Sequence, residues 1–391
     1  MASLLGELAI TLGGGGARAA YQAGVLRSLA RRFPDLTPPI LTGVSAGAIN
    51  VAHLANHTSP FSDKVDDLVR LWSSLDTTKV FATHPLTLVR RAVLDGLRLS
   101  LGSWPRNPPL QGLLDTTPLR RFLHGALGAE DGALRGVAEN LAAERLKAVA
   151  LTATSYTTGQ TLTFFAGRGI EAWERPLRRS VEAELTVEHV MASAALPIFF
   201  PAIKVGDAWH GDGGIRLTAP LAPALHLGAG RILTVSTHYR STHAEADRPA
   251  FEGPPSLAQV MGILYNAIFL DHLDHDALQL ARINRILGAL PPEGRMGLRE
   301  VKLLVLRPSR DLDEMANEFE PRLPWMFRYL TRRLGTRRAS TQHLLSTVLF
   351  QSDYLGALIE LGERDADARA AEIDEFVGGP QRTGSPTRDR P

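Results

Sequence analysis

TGVSAGAIN, residues 42–50, places Ser45 between Gly43 and Gly47. The apolar run PPILTGV (38–44) leads into this stretch and predicts a short strand, while AGAINVAHLAN predicts the helix that follows. A nucleophilic serine needs such a sharp strand-to-helix turn, with glycines two positions away on either side. The amides at the start of the helix also favour a developing negative charge. The pattern indicates a nucleophile elbow at Ser45, and a structural turn between closely packed elements is the alternative.

A second glycine cluster follows the first apolar run of the chain. ELAITL (7–12) predicts a buried strand, GGGGAR (13–18) a loop, and the helical spacing of the next segment a helix. Consecutive glycines there let backbone N–H groups point into a concave space. Those groups suit a phosphate, although the dinucleotide fingerprint needs glycine where Arg18 or Ala19 stands. They also suit an oxyanion hole, which the nearby elbow favours. A structural glycine turn is the third interpretation.

Strand–loop–helix units in series predict an α/β domain with a parallel sheet. Farther along, LKAVALTATSY (146–156) and QTLTFFA (160–166) predict two strands joined as a hairpin, and TVEHVMASAALP (186–197) predicts a helix. RILTVST (231–237) and VKLLVLRP (301–308) predict two later strands.

The same patterns divide the chain into regions. Residues 7–240 form the predicted catalytic domain, with a helical insertion rich in leucine and arginine at about 60–145. Residues 241–377 predict a mostly helical extension packed on that domain. The tail 378–391 has the composition of a disordered segment.

Composition excludes several classes of protein. The 391 residues, 44% of them hydrophobic, are enough for a sizeable core. The absence of cysteine excludes disulfides, thiolate metal sites and a cysteine nucleophile. A formal net charge of only +2 gives no indication of nucleic-acid binding.

The N-terminus gives no indication of export. MASLLGELAITLGGGG lacks a basic segment, and Glu7 interrupts its apolar run, so we predict no signal peptide. No stretch reaches the roughly 18 apolar residues of a spanning helix. We expect a cytoplasmic protein, with peripheral membrane contact left open.

Three stretches in order resemble the patatin-like phospholipase family: GGGARAAYQAGVL (14–26), GVSAGAIN (43–50) and DGG (212–214). ASAALPIFFPAI (192–203) also resembles the segment that leads into the aspartate loop of that family. The resemblance covers roughly residues 7–240. It implies a three-layer α/β/α sandwich with a mostly parallel central sheet.

The resemblance also implies a site that uses a Ser–Asp dyad instead of a triad. Ser45 would be the nucleophile and Asp212 its base, with Arg18 supporting the glycine loop or the substrate head group. The implied oxyanion hole consists of the amides of Gly14, Gly15 and Gly16, and the supporting glycines of the two motifs are Gly43, Gly47, Gly213 and Gly214.

One position departs from the family pattern, because Ala19 stands where the family usually has glycine. A positive φ there would cost stability or shift the loop. Alanine is small and begins a helix well, so we expect the site to survive.

Other functions remain as alternatives. An ordinary α/β-hydrolase would use a Ser–Asp–His triad, for which His238 is the best candidate and His210 the second. A non-catalytic protein would bind a nucleotide on GGGGAR, or lipid on the same fold. Intact Ser45 and Asp212 argue against a catalytically silent protein.

Two clusters in the C-terminal region have competing interpretations. Asp271, His272, Asp274, His275 and Asp276 could hold a metal, but we predict a solvated helix face. The second cluster either docks on anionic lipid head groups or packs its aromatic side chains on the main domain. It consists of Arg322, Arg328, Arg332, Arg333, Arg337 and Arg338 around Trp325, Phe327 and Tyr329.

Together these observations predict a serine acyl hydrolase of the phospholipase A or lysophospholipase type. The expected substrate is a phospholipid or another lipid ester, cleaved through an acyl-enzyme on Ser45. We expect no metal, no organic cofactor and no nucleic-acid partner.

Overall fold

The structure is a computed structural model, which describes residues 7–82, 114–242, 272–319 and 342–378, with Gly112 and isolated positions between 245 and 267. Part of the predicted insertion, the arginine-rich cluster at 322–338 and the tail beyond Gly378 lie outside the described residues. Within the described part, no helix combines the length and the apolar character that crossing a bilayer requires.

The strands of the described chain form one sheet. They are β1 (Glu7–Leu12), β2 (Ile40–Val44), β3 (Ala148–Ser155), β4 (Thr161–Gly167), β5 (Glu174–Arg175), β6 (Arg178–Glu182), β7 (Ile203–Val205), β8 (Ala208–Asp212), β9 (Ala229–Val235) and β10 (Lys302–Leu306). Their order is β10-β9-β1-β2-β3-β4-β6-β5, and the β7–β8 hairpin pairs with β3 through β8. The run from β10 to β3 is parallel, and β4 then pairs antiparallel with β3.

Helices cover both faces of this sheet. They are α1 (Ala20–Arg32), α2 (Ala46–Asn56), α3 (Phe61–Ser74), α4 (Thr77–Val80), α5 (Thr117–Ala126), α6 (Arg135–Ala142), α7 (Val187–Ser193), α8 (Ala222–His226), α9 (His272–Ala289), α10 (Leu312–Phe319), α11 (Gln342–Val348), α12 (Ser352–Ala368) and α13 (Ala370–Gly378). Short 3-10 turns span Gly16–Ala19, Gly213–Arg216 and Pro292–Arg295.

Alternating side chains of the strands define the two faces. Leu8, Ile10 and Leu12 of β1 join the core that contains α1, α2, α3 and α12, whereas Ala9 joins the core beneath α8 and α9. This alternation follows from the two-residue period of a strand. The predicted α/β fold, with a mostly parallel sheet between helical layers, is confirmed.

Residues after 240 contribute to the same sheet and the same core. β10 pairs with β9, and α12 packs on α1 so closely that a Cβ on Gly24 would lie 1.9 Å from the Ile359 carbonyl oxygen. Arg27 and Arg31 of α1 form ion pairs with Glu363 of α12. The two segments therefore bury their faces against one another.

Candidate active site

β3 aligns the ends of two other strands. Its parallel pairing with β2 places Val44 opposite Thr152, and its antiparallel pairing with β8 places Asp212 opposite Ala153. β8 therefore occupies the space on β3 where β2 stops. Because Ser45 follows Val44 directly, this register brings Ser45 and Asp212 together from distant parts of the chain.

Ser45 has the backbone conformation of a sharp elbow. Its φ of 56° and ψ of −132° lie in a region that L-residues rarely adopt, and its side chain is buried. The Ser45 N–H donates to Ser193 Oγ at 3.0 Å, and that hydroxyl donates to the Thr152 carbonyl at 2.6 Å. Ser193 thus ties the elbow to β3 and helps to hold the strained backbone.

The two glycines of the elbow are required by close backbone contacts. A Cβ on Gly43 would lie 2.7 Å from the Gly47 carbonyl oxygen, and one on Gly47 would lie 2.3 Å from the Leu12 carbonyl oxygen. Any side chain at these positions would force α2 away from β1 and β2. The glycines therefore set how closely the elbow approaches the glycine loop after β1.

Asp212 is fully buried, and both of its carboxylate oxygens accept hydrogen bonds. Ser45 Oγ donates to Oδ2 at 2.5 Å, and the Gly214 N–H donates to Oδ1 at 2.8 Å. Burial raises the pKa of Asp212 to about 7, against the opposing effect of these two hydrogen bonds. Gly213 gives the turn its tight path, since a Cβ there would lie 2.1 Å from the Thr152 carbonyl oxygen.

The glycine loop lies against Ser45. A Cβ on Gly14 would lie 2.9 Å from Ser45 Cβ, and Gly15 and Gly16 have φ angles of 146° and 58°. Only glycine adopts such angles readily and allows this approach. The predicted oxyanion residues and the predicted nucleophile are thus adjacent.

Arg18 is buried against α10 and α11. Its guanidinium forms an ion pair with Asp313 at 2.8 Å and donates from Nε to Ser346 Oγ at 2.8 Å. This placement favours support of the loop over contact with a head group. Ala19 is buried with a φ of −66°, so alanine carries no strain at the position where the family usually has glycine.

An apolar cavity opens beside the serine. Ser45 and Gly16 lie on its wall, and almost all of its other lining groups are hydrophobic. The lining side chains include Ile49, Leu71, Trp72, Leu123, Phe200 and Phe350. Such a cavity can hold a hydrocarbon chain with one end at the serine hydroxyl.

Neither candidate histidine is placed as a partner of Asp212. His210 is buried in edge-to-face contact with Phe164, at 5.5 Å between ring centroids, and burial lowers its pKa. His238 follows β9 and lines a second cavity, and Ser45 and Asp212 are not among the described residues that line it.

The acidic cluster on α9 differs in part from the sequence prediction. His275 is exposed, as predicted, but Asp276 accepts the Leu221 N–H at 2.8 Å and is only partly exposed, and its partial burial raises its pKa. Asp276 therefore anchors α9 to the domain, and the prediction of a solvated face is wrong there. Asp271 lies outside the described residues, and among those described no set of three or more potential ligands could hold a metal.

The sequence analysis did not identify several polar residues that contact the site. Ser193 binds the elbow, Thr237 Oγ1 donates to the Gly14 carbonyl at 2.6 Å, and Gln22 Nε2 donates to the Gly13 carbonyl at 2.8 Å. Ser193 lies within the stretch 192–203, whose resemblance was noted without a role for this serine. Gln22 and Thr237 carry no local pattern that reveals a backbone carbonyl as their partner.

A sequence model for patatin-like phospholipases matches residues 10–225, more than half of the chain. No curated protein gives a significant match.

Solved structures of low sequence identity also match. Human GIVD cytosolic phospholipase A2 shares 13% identity at a TM-score of 0.49, over 96% of this chain and 60% of that one. VipD from Legionella pneumophila shares 14% identity at a TM-score of 0.35, over 77% of this chain and 61% of that one. The ExoU–SpcU complex from Pseudomonas aeruginosa shares 14% identity at a TM-score of 0.27, over 93% of this chain and 59% of that one. This chain therefore spans about three fifths of each of these longer chains.

Proposed function

Since the chain belongs to the patatin-like phospholipase family, we propose that it is a lipid acyl hydrolase that cleaves carboxylic esters with Ser45 and Asp212. One observation carries the proposal. Ser45 Oγ donates to Asp212 Oδ2 at 2.5 Å on the wall of an apolar cavity. A nucleophile, a base and a site for an acyl chain thus meet at one point.

In the first half-reaction, Ser45 Oγ attacks the ester carbonyl carbon while Asp212 accepts the hydroxyl proton. The carbonyl oxygen becomes an oxyanion, which the amides of the loop Gly14, Gly15 and Gly16 stabilise. The tetrahedral intermediate then loses its alcohol, which takes the proton from Asp212. The products of this step are the free alcohol and an acyl group bound to Ser45.

In the second half-reaction, water gives a proton to Asp212 and attacks the acyl carbonyl. The fatty acid leaves, and the proton returns to Ser45 Oγ. A carboxylate of ordinary pKa is a weak base at neutral pH, but burial raises the pKa of Asp212 to about 7. This pKa lies near that of an efficient general base at neutral pH, so no histidine is required.

The cavity supports a substrate with a hydrocarbon chain. Trp72 and Phe200 contribute aromatic surface and Leu71 aliphatic surface, which favours burial of methylene groups over polar groups. We therefore propose a phospholipid, a lysophospholipid or another lipid ester as the substrate.

Labelling with a fluorophosphonate probe, followed by peptide mapping, tests this function. Wild type should label on Ser45, whereas Ser45→Ala and Asp212→Asn should not. Asp207→Asn is a matched control, because Asp207 is an exposed carboxylate near the start of β8. A folded wild type that fails to label would contradict the assignment of Ser45 as the nucleophile.

Two further variants separate the dyad from a triad. His210→Ala and His238→Ala should retain ester hydrolysis within a few-fold, because the proposed base is Asp212. Loss of about three or more decades of rate in either variant would indicate a triad instead.

The cellular setting is also proposed, as a cytoplasmic protein that meets lipid at a membrane periphery. Cell fractionation and co-sedimentation with phospholipid vesicles test the two parts separately. Recovery outside the cytoplasm, or no vesicle binding at low salt, would contradict the corresponding part.

A further inference from the structure

We propose that Gln22 and Thr237 are positioning residues, which orient the peptide groups of the glycine loop so that its amides face the oxyanion. This inference rests on the proposed function and assigns the groups that keep the oxyanion hole formed.

Both residues bind carbonyl oxygens of consecutive peptides in the loop. Gln22 Nε2 donates to the Gly13 carbonyl at 2.8 Å, and Thr237 Oγ1 donates to the Gly14 carbonyl at 2.6 Å. In a trans peptide the C=O and N–H bonds point in opposite directions, and the described chain has no cis peptide. Fixing these two carbonyls therefore fixes the directions of the Gly14 and Gly15 N–H groups.

Those two N–H groups donate to no acceptor within the described residues, whereas the Gly13 N–H reaches the Val235 carbonyl at 3.5 Å. Gly14 also lies against the serine, since a Cβ added to it would lie 2.9 Å from Ser45 Cβ. The loop thus presents free donors beside the nucleophile, as an oxyanion hole requires.

The loop needs this restraint because of its composition. A peptide between glycines can rotate with little steric cost, since neither flanking residue has a Cβ. Rotation of the Gly13–Gly14 peptide would replace a donor near Ser45 with a carbonyl oxygen, which repels an oxyanion. The Gln22 amide opposes that rotation, because the rotated peptide would lose its hydrogen bond.

A buried chain of side chains dictates the orientation of the Gln22 amide. Trp72 Nε1 can only donate, and it does so to Asn50 Oδ1 at 2.7 Å. Asn50 must then turn its NH2 group to Gln22 Oε1, at 2.9 Å. Gln22 is left with its own NH2 group directed at Gly13, so the direction of each bond follows from the indole N–H.

The same chain connects the loop to the acyl cavity. Trp72 lies on the cavity wall, and Trp72, Asn50 and Gln22 are all essentially fully buried. A buried polar chain in which every donor has an acceptor is rigid, because breaking one bond leaves unsatisfied groups. The cavity wall and the oxyanion donors are therefore held in one network.

Steady-state hydrolysis of p-nitrophenyl butyrate by paired variants tests the Thr237 role. Thr237→Val keeps the shape and removes the donor, whereas Thr237→Ser keeps the hydroxyl. We expect kcat to fall about tenfold or more in Thr237→Val with KM nearly unchanged, and to recover largely in Thr237→Ser. Thr11→Val is the control, because it removes a buried hydroxyl whose one partner among the described residues is Thr42 Oγ1, at 2.9 Å, and it should retain kcat.

Gln22→Met and Gln22→Glu test the other residue. Methionine removes the donor at similar volume, and an ionised glutamate would place an acceptor against the Gly13 carbonyl. We expect both to lower kcat, and Gln22→Glu to recover relative to wild type as the pH falls, because a protonated glutamate can donate again.

Inhibition by an alkyl trifluoromethyl ketone provides a readout that a loss of stability would not produce. The ketone forms an oxyanion on Ser45, so its inhibition constant should rise in proportion to the loss of kcat/KM across the variants. If wild type is active and kcat is unchanged in Thr237→Val and Gln22→Met, this inference alone is overturned. A folded wild type that neither hydrolyses the ester nor labels would overturn the proposed function, and this inference with it.

Discussion

Val44 and Asp212 lie at consecutive positions along β3, because Val44 pairs with Thr152 and Asp212 pairs with Ala153. Ser45 and Asp212 are 167 positions apart in sequence, and β3 brings them together. Backbone hydrogen bonds of a sheet, instead of flexible loops, set the distance between the proposed nucleophile and the proposed base. Rigid placement of this kind preserves the geometry that proton transfer needs.

Activity should depend on pH through Asp212, because the proposed base acts only when it is ionised. Its pKa of about 7 predicts that kcat/KM for a short ester rises through neutral pH and reaches a plateau above it. Below the midpoint, kcat/KM should fall about tenfold per pH unit. Stopped rate assays over this range provide the profile.

A midpoint near the ordinary aspartate value of 3.8 would contradict the raised pKa of Asp212. Thr11→Val should have the same midpoint as wild type, since its hydroxyl does not contact Asp212.

Stability should depend on pH with the opposite sign. Between pH 3.8 and about pH 7, the folded protein keeps the Asp212 proton that the unfolded chain has released. The free energy of unfolding therefore falls as the pH rises through this range. Asp212→Asn has no such proton. We expect the stability of Asp212→Asn relative to wild type to increase by about 1 kcal/mol or more between about pH 5 and pH 8.

Urea unfolding of both proteins at each pH measures this difference. A difference that stays constant over the range would show that the carboxyl titrates alike in the folded and unfolded states.

Ser45→Gly should be more stable than Ser45→Ala, although both should be inactive. The φ of 56° at this position strains any residue with a Cβ, and glycine adopts it freely. We expect a difference of about 1 kcal/mol in the free energy of unfolding, since relief of strain exceeds the entropy cost of glycine. Chemical denaturation compares the two variants, and equal stabilities would mean that the elbow is unstrained.

Gly47→Ala should disrupt the site by steric conflict. Its Cβ would lie 2.3 Å from the Leu12 carbonyl oxygen and 2.4 Å from that of Gly13, so α2 and the glycine loop would have to separate. We expect a loss of about two decades or more in kcat/KM and a lower Tm. Ester hydrolysis and thermal unfolding measure these effects.

Gly356→Ala is the control for that substitution. Gly356 lies in α12, and among the described residues no atom beyond its chain neighbours and its own helix backbone lies within 4 Å of an added Cβ. It should retain activity and gain up to about 1 kcal/mol of stability from helix propensity. Equal behaviour of the two alanine variants would contradict the steric argument.

Local patterns were sufficient for much of the fold. The apolar runs that predicted β1, β2, β3, β4, β9 and β10 are strands, and the glycines around Ser45 mark a true strand-to-helix elbow. Each of these depends on neighbours in sequence, which set hydrophobic period and backbone conformation. The short strands β5 and β6 were not predicted, because their charged residues lack an apolar alternation.

The contacts of the site required long-range pairing that a single sequence does not display. Asp212 was assigned by resemblance, and only the register of β3 explains why it meets Ser45. The hydrogen bonds of Thr237 to Gly14 and of Gln22 to Gly13 depend on tertiary geometry. Asp276 looked like a surface residue because nothing in its helix indicates the Leu221 amide that it binds.

The ion pair between Arg18 and Asp313 joins the segment that the family model matches to a later part of the chain. The family match ends at residue 225, yet a fragment cut there would lack β9 and β10, which would expose β1 as an unpaired sheet edge. It would also leave the Arg18 guanidinium without its carboxylate partner inside the protein. The segment that the family model matches is thus not an independent folding unit, and a chimera that exchanges the segment with Ser45 should carry residues 229–368 with it.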